Sequence, residues 1–164
     1  MSSLCPEHRQ KITRSPQQAL QHFKQCMSSG KLFHNKRNFK QACQRFSQAL
    51  SVSQLLIDLR PLQGSQNYLS LKIAASHNLS ASFSALGQLN NACQVLEELH
   101  QSLLKLCLAP TVPRSLRITA LGALDNSLFS LTSNLGLAGK VDQLYKVISE
   151  TDRVAELAAA QLLH

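Results

Sequence analysis

Apolar and small residues recur along the chain at intervals of three and four, the spacing that puts side chains on one face of a helix. Phe23, Met27 and Gly30 begin such a series, and Phe39, Ala42, Phe46 and Ala49 continue it. Comparable series run through Leu89, Ala92 and Leu96, and through Leu128, Leu131 and Leu135. Chain breakers divide the pattern. Pro61 and Gly64 close a first segment, Pro110 and Pro113 close a second, and Ser15-Pro16 offers a helix N-cap followed by proline at the first helical position. The pattern predicts six helices near residues 16–35, 38–59, 66–86, 89–108, 114–137 and 140–163. Residues 1–15, polar and basic with Pro6 among them, are expected to form a flexible arm ahead of a single helical domain at 16–164.

The pattern also repeats. Gly30 and Phe33 in one helix, with Phe39, Ala42, Phe46 and Ala49 in the next, describe two helices that cross where a small residue lets their backbones approach. Leu79, Phe83, Gly87, Leu89, Ala92 and Leu96 form a second copy. Leu128, Leu131, Leu135, Gly139, Val141, Leu144 and Ile148 form a third. These positions resemble the tetratricopeptide repeat, with Gly30 on the family's helix A glycine and Ala42, Phe46 and Ala49 on helix B's packing residues. Ser80 stands where the second copy would carry that glycine. Ala42, Ala92 and Leu144 are 50 and 52 residues apart, against about 34 in the standard repeat, so the helices must be longer. The resemblance implies an all-α fold, a right-handed stack of three long helical hairpins.

Composition supports helices and bounds function. Apolar residues reach 44% without tryptophan, and β-branched and aromatic residues are few beside Leu, Ala, Gln and Ser. Five cysteines, none at C-x-x-C spacing, fit a reducing cytoplasm, and neither a signal peptide nor a membrane span is expected. Charge is asymmetric: residues 1–60 hold ten Lys/Arg against two acids, whereas residues 61–164 hold seven of each sign. An acidic partner would therefore be drawn to the first third.

Little in the chain predicts chemistry. His22 and Cys26 lie one helical turn apart, but Cys26, Cys43 and Cys93 occupy packing positions, so no metal and no cofactor are expected. Acids are scarce around the His and Cys residues. The spacing in Gly136-Leu137-Ala138-Gly139-Lys140 is too short for a phosphate loop and suits a turn. No catalytic residue is assigned and the chain is expected not to be an enzyme. Lys36, Arg37 and Lys40 form a basic patch at the first inter-helix turn, where a phosphate could approach, although Phe33, Phe39 and Phe46 are committed to packing and cannot stack on bases. The helical stripe Val154, Leu157, Ala158, Gln161 and Leu162 has no later helix to cover it, so it is expected to fold back, to pair with a copy of itself in a homodimer through the C-terminal helix, or to meet a partner.

In the tetratricopeptide family, helix A residues line a concave surface that holds a peptide. Carried over, they are Lys24, Met27, Lys31, His34 and Asn35 in the first copy, Ala74, His77, Asn78, Ala81 and Ser84 in the second, and Asn126, Phe129, Ser130 and Ser133 in the third. Asn78 falls on an asparagine that some members use to clamp acidic tails, but Met27 replaces the first clamp lysine. Lys24 and Lys31 remain to meet acidic side chains. The resulting expectation is a protein-binding adaptor or chaperone-like module for an acidic or amphipathic segment. The alternatives are regulatory nucleic-acid binding through the basic third, and a small secretion chaperone, a class expected to be acidic.

Overall fold

The computed structural model describes residues 15–59 and 65–162, and among these the chain is all-α, with six helices and no strand. They are α1 (Pro16–Asn35), α2 (Phe39–Leu59), α3 (Ser65–Ala85), α4 (Leu89–Leu108), α5 (Arg114–Leu137) and α6 (Val141–Leu162). Each boundary falls within one residue of its expected position. The N-terminal arm at residues 1–14 and the break at Pro61 and Gly64 lie outside the described residues. No described helix is long and apolar enough to cross a membrane.

Local chemistry explains the boundaries. The Ser15 side chain accepts from the Gln18 N–H at 3.4 Å, satisfying one of the donors that a helix start leaves open, and Pro16 fits the first turn because it lacks an N–H. Asn38 caps α2 in the same way, its Oδ1 accepting from the Gln41 N–H at 3.4 Å.

Three inter-helix turns share one hydrogen-bond pattern. After α1 the N–H groups of Arg37 and Asn38 bond the carbonyls of His34 and Phe33. After α3 those of Gly87 and Gln88 bond Ser84 and Phe83, and after α5 those of Gly139 and Lys140 bond Gly136 and Leu135. This closure needs a left-handed residue. Gly87 (φ 74°) and Gly139 (φ 70°) meet the need without strain, whereas Arg37 adopts φ 57° against its own Cβ.

The chain divides into two compact units, Met1–Gln88 and Leu89–His164. In the first, α1 packs on α2 and α2 on α3. Ala19, Phe23, Cys26, Met27 and Gly30 form the buried arc of α1, spaced so that all five point one way. The closest approach is at Gly30: a Cβ built there would lie 2.6 Å from Cε1 of Phe46, itself 1% exposed. The glycine is what lets the ring seat.

In the second unit α4 packs on α5 and α5 on α6, with α6 also touching α4. Cys93, Leu96, Leu131, Leu135 and Val147 form a buried cluster drawn from all three helices, with Leu128 and Leu144 against it. The C-terminal stripe takes the first of its three expected courses and folds back on its own unit. Val154, Ala158 and Leu162 are buried, and of its apolar residues only Leu157 is exposed. The end of α6 is tied to the start of α5, where Arg114 donates to the Leu162 carbonyl and Arg117 Nη2 donates to Gln161 Oε1 at 2.6 Å. Val154, Ala158 and Leu162 are therefore not open to a second copy, because helices earlier in the chain cover them.

Candidate functional site

The cationic surface of the first unit follows from the arc that α1 buries. With Phe23, Cys26 and Gly30 turned inward, Lys24, Ser28, Lys31 and Asn35, spaced by four, three and four residues, fall on one exposed stripe. Lys36, Arg37 and Lys40 are also exposed, and they continue the positive charge around the turn and onto the first turn of α2. Across residues 15–59 and 65–88, seven Lys/Arg face one acid, Asp58, which accepts from Gln54 Nε2 at 2.8 Å. Among the described residues of the unit, almost nothing balances this positive potential.

Other residues expected to line the groove are placed differently. Met27 is 8% exposed and belongs to the core, so its expected role as a contact residue is corrected: its position beside Cys26 on the inward arc forces burial. His34 is half-buried, with Nδ1 2.9 Å from Ser82 Oγ on α3. The Ser82 hydroxyl already donates to the Asn78 carbonyl at 3.0 Å, so the histidine is the donor in this pair. Phe39 meets the His34 ring edge-on at 5.0 Å. His34 thus fastens the end of α1 to α3.

Asn78 is half-buried and spends its Nδ2 on the Ala74 carbonyl at 2.8 Å. His77 is half-buried as well, with Nε2 enclosed and lacking a hydrogen-bond partner among the described residues; burial pushes its pKa below the usual 6.5. The structure therefore brings Lys24, Lys31 and Asn35 together with the basic turn, and gives His34 and Asn78 packing roles.

In the second unit Phe129 is 72% exposed on α5, beside hydroxyl residues bonded to their own helix. Ser130 donates to the Asn126 carbonyl at 3.0 Å and Ser133 to that of Phe129 at 2.7 Å. Thr119 and Thr132 do the same to Ser115 and Leu128.

The cysteines lie where the packing pattern puts them. Cys26, Cys43, Cys93 and Cys107 are free and buried, and burial raises all four pKa values, those of Cys43 and Cys107 to about 11. They remain thiols near neutral pH. Cys26 Sγ lies 3.6 Å from His22 Nε2, but among the described residues no group of three His, Cys, Asp or Glu is arranged to hold a metal.

His100 went unnoticed in the sequence. It is fully buried on α4, with Nδ1 3.1 Å from Ser127 Oγ on α5 and Nε2 2.8 Å from Thr151 Oγ1 on α6. The available signal was its register on the leucine face of α4, one residue after Leu99 and three before Leu103.

Residues 10–164 match the model of a family described as a protein of unknown function (DUF2753). The chain belongs to the DUF2753 family. No curated protein and no solved structure matches it.

Proposed function

We propose that this chain is a non-enzymatic protein-binding module that captures an acidic or amphipathic segment of a partner through the cationic surface of its first unit. One observation carries the reading: Lys24, Lys31, Lys36, Arg37 and Lys40 are all exposed along α1, its turn and the start of α2, in a unit whose described residues include a single acid. Lys24 and Lys31 lie seven residues, or two helical turns, apart, roughly 10 Å along the axis, and so can engage carboxylates spaced along an extended or helical peptide. The likeness to the tetratricopeptide repeat supports the same reading, because helix A residues bind peptides there.

The test uses a fluorescent acidic peptide and, as the competing reading, a DNA duplex of matched charge. Both are titrated by anisotropy at two salt concentrations. Lys24→Glu with Lys31→Glu is expected to weaken peptide binding at least tenfold while the melting temperature stays unchanged, since both side chains are exposed. Peptide binding unaffected by the double reversal would overturn the proposal. Preference for the duplex, with a steep loss on added salt, would favour nucleic-acid binding.

A further inference from the structure

The polar centre of the second unit is independent of the cationic surface, and its hydrogen-bond directions can be assigned. The Thr151 hydroxyl donates to the Val147 carbonyl at 2.7 Å, so toward His100 it can only accept. His100 Nε2 must then carry the proton it shares with Thr151. In the neutral ring Nδ1 is an acceptor, and the Ser127 hydroxyl donates to it. Both nitrogens are satisfied, one by α5 and one by α6, in a site where the ring is 0% exposed.

A second proton has no place in this arrangement. It would put an N–H against Ser127 Oγ, forcing that hydroxyl to turn away, and would leave an imidazolium sealed from water. The charges around the ring do little to help. On α6, Glu150 favours the charged ring but is engaged by Gln101 Nε2 at 3.2 Å. The other charged residues of α6 are exposed. On α5, Asp125 is exposed, while Arg114 and Arg117 bond the end of α6. On α4 itself, Glu97 accepts from Gln143, and Glu98 and Lys105 are exposed. Burial accordingly holds the His100 pKa below 6.5.

We propose that His100 is an acid-operated latch: neutral, it ties α6 to α4 and α5, and on protonation α6 detaches and uncovers the face carrying Val147, Val154 and Ala158. Of the three helices α6 is the least extensively packed, so it is the element that gives way. The sign follows from linkage. The closed form binds the proton less readily than the open form, so the contribution of His100 to closure is fully present above about pH 6.5 and is lost progressively as pH falls below it.

Cys93 reports the event, because it is buried in the cluster that includes Val147 of α6. Its modification by 4,4′-dithiodipyridine, a reagent that works in acid, is followed by mass spectrometry at pH 7.5 and pH 5.0 and normalised to the denatured chain at each pH. The rate should rise at pH 5.0 by up to about thirtyfold, the ratio expected if only the open form takes up the proton. His100→Gln, which keeps a donor for Thr151 but cannot titrate, should remove the pH effect. A flat rate in the wild type, or an undiminished rise in His100→Gln, overturns the latch. Should that variant fail to fold, NMR titration of the wild-type histidine rings decides: a His100 ring that gains its proton near pH 6.5 in an unaltered fold overturns it equally, and one that stays neutral until the α6 signals change supports it.

Discussion

Gly30→Ala adds one methyl group at the tightest crossing in the first unit. The new Cβ would lie 2.6, 2.7 and 2.9 Å from Cε1, Cδ1 and Cζ of Phe46, whereas carbon atoms in contact prefer about 3.5 to 4.0 Å. The ring would have to retreat by about 1 Å through a close-packed interior, and overpacking of this kind costs about 1 to 3 kcal/mol. Alanine recovers up to about 1 kcal/mol through its better helix propensity. The net expectation is destabilisation by about 1 to 2 kcal/mol, or a melting temperature lower by roughly 5 to 15 °C for a unit of this size. Thermal and urea unfolding followed by circular dichroism would measure it. The double-mutant cycle with Phe46→Leu isolates the cause, because in that background the methyl group has room and the penalty should shrink by at least about 1 kcal/mol. If Gly30→Ala is as stable as the wild type, or if its penalty is the same beside leucine, the clash is not what the glycine avoids.

Other outcomes follow from the turns, the buried hydroxyl pair and the histidines. Arg37→Gly should stabilise the first unit by about 1 kcal/mol by relieving a left-handed arginine, whereas Gly139→Ala should destabilise the second by a similar amount; urea midpoints check both. Thr151→Val removes the acceptor for His100 Nε2 and should lower stability by about 1 to 3 kcal/mol, a loss that Thr151→Ser, which keeps the hydroxyl, should largely avoid. His77, with its pKa lowered by burial, stabilises the first unit above about pH 6.5 and loses that contribution as pH falls. His77→Gln should therefore flatten the drop in urea midpoint between pH 7.5 and pH 5.5, and an unchanged drop would show that this ring is not its source.

The helix boundaries were legible because they depend on local chemistry that single residues carry: Ser15 and Pro16 at one start, Gly87 and Gly139 at two ends. Gly30 and Phe46 were legible as packing positions of one helix pair, because a small residue lets two helices approach, but that the ring seats on Gly30 itself is visible only in the structure. The candidate site was legible only in part. Lys24 and Lys31 fall on the exposed stripe that their spacing implied, but Met27 lies next to Cys26 on the buried arc, and a family's contact position did not override that geometry. His100 could not be read as a structural centre, since its partners Ser127 and Thr151 stand 27 and 51 residues away and nothing local links them. The covering of α6 was not legible, because the helices that bury Val154, Ala158 and Leu162 precede it in the chain rather than follow it.

The hydroxyl residues of α5 give that helix a surface unlike the one its composition suggests. Thr119, Ser130, Thr132 and Ser133 each direct their proton back to a carbonyl of their own helix, and Asn134 sends its amide to Ser130. The hydroxyl oxygens can still receive a hydrogen bond, but the hydroxyl protons that would make one outward are already committed. Around the exposed Phe129 ring these hydroxyls therefore face outward as acceptors, suited to groups that bring donors of their own, such as amide N–H groups or arginine.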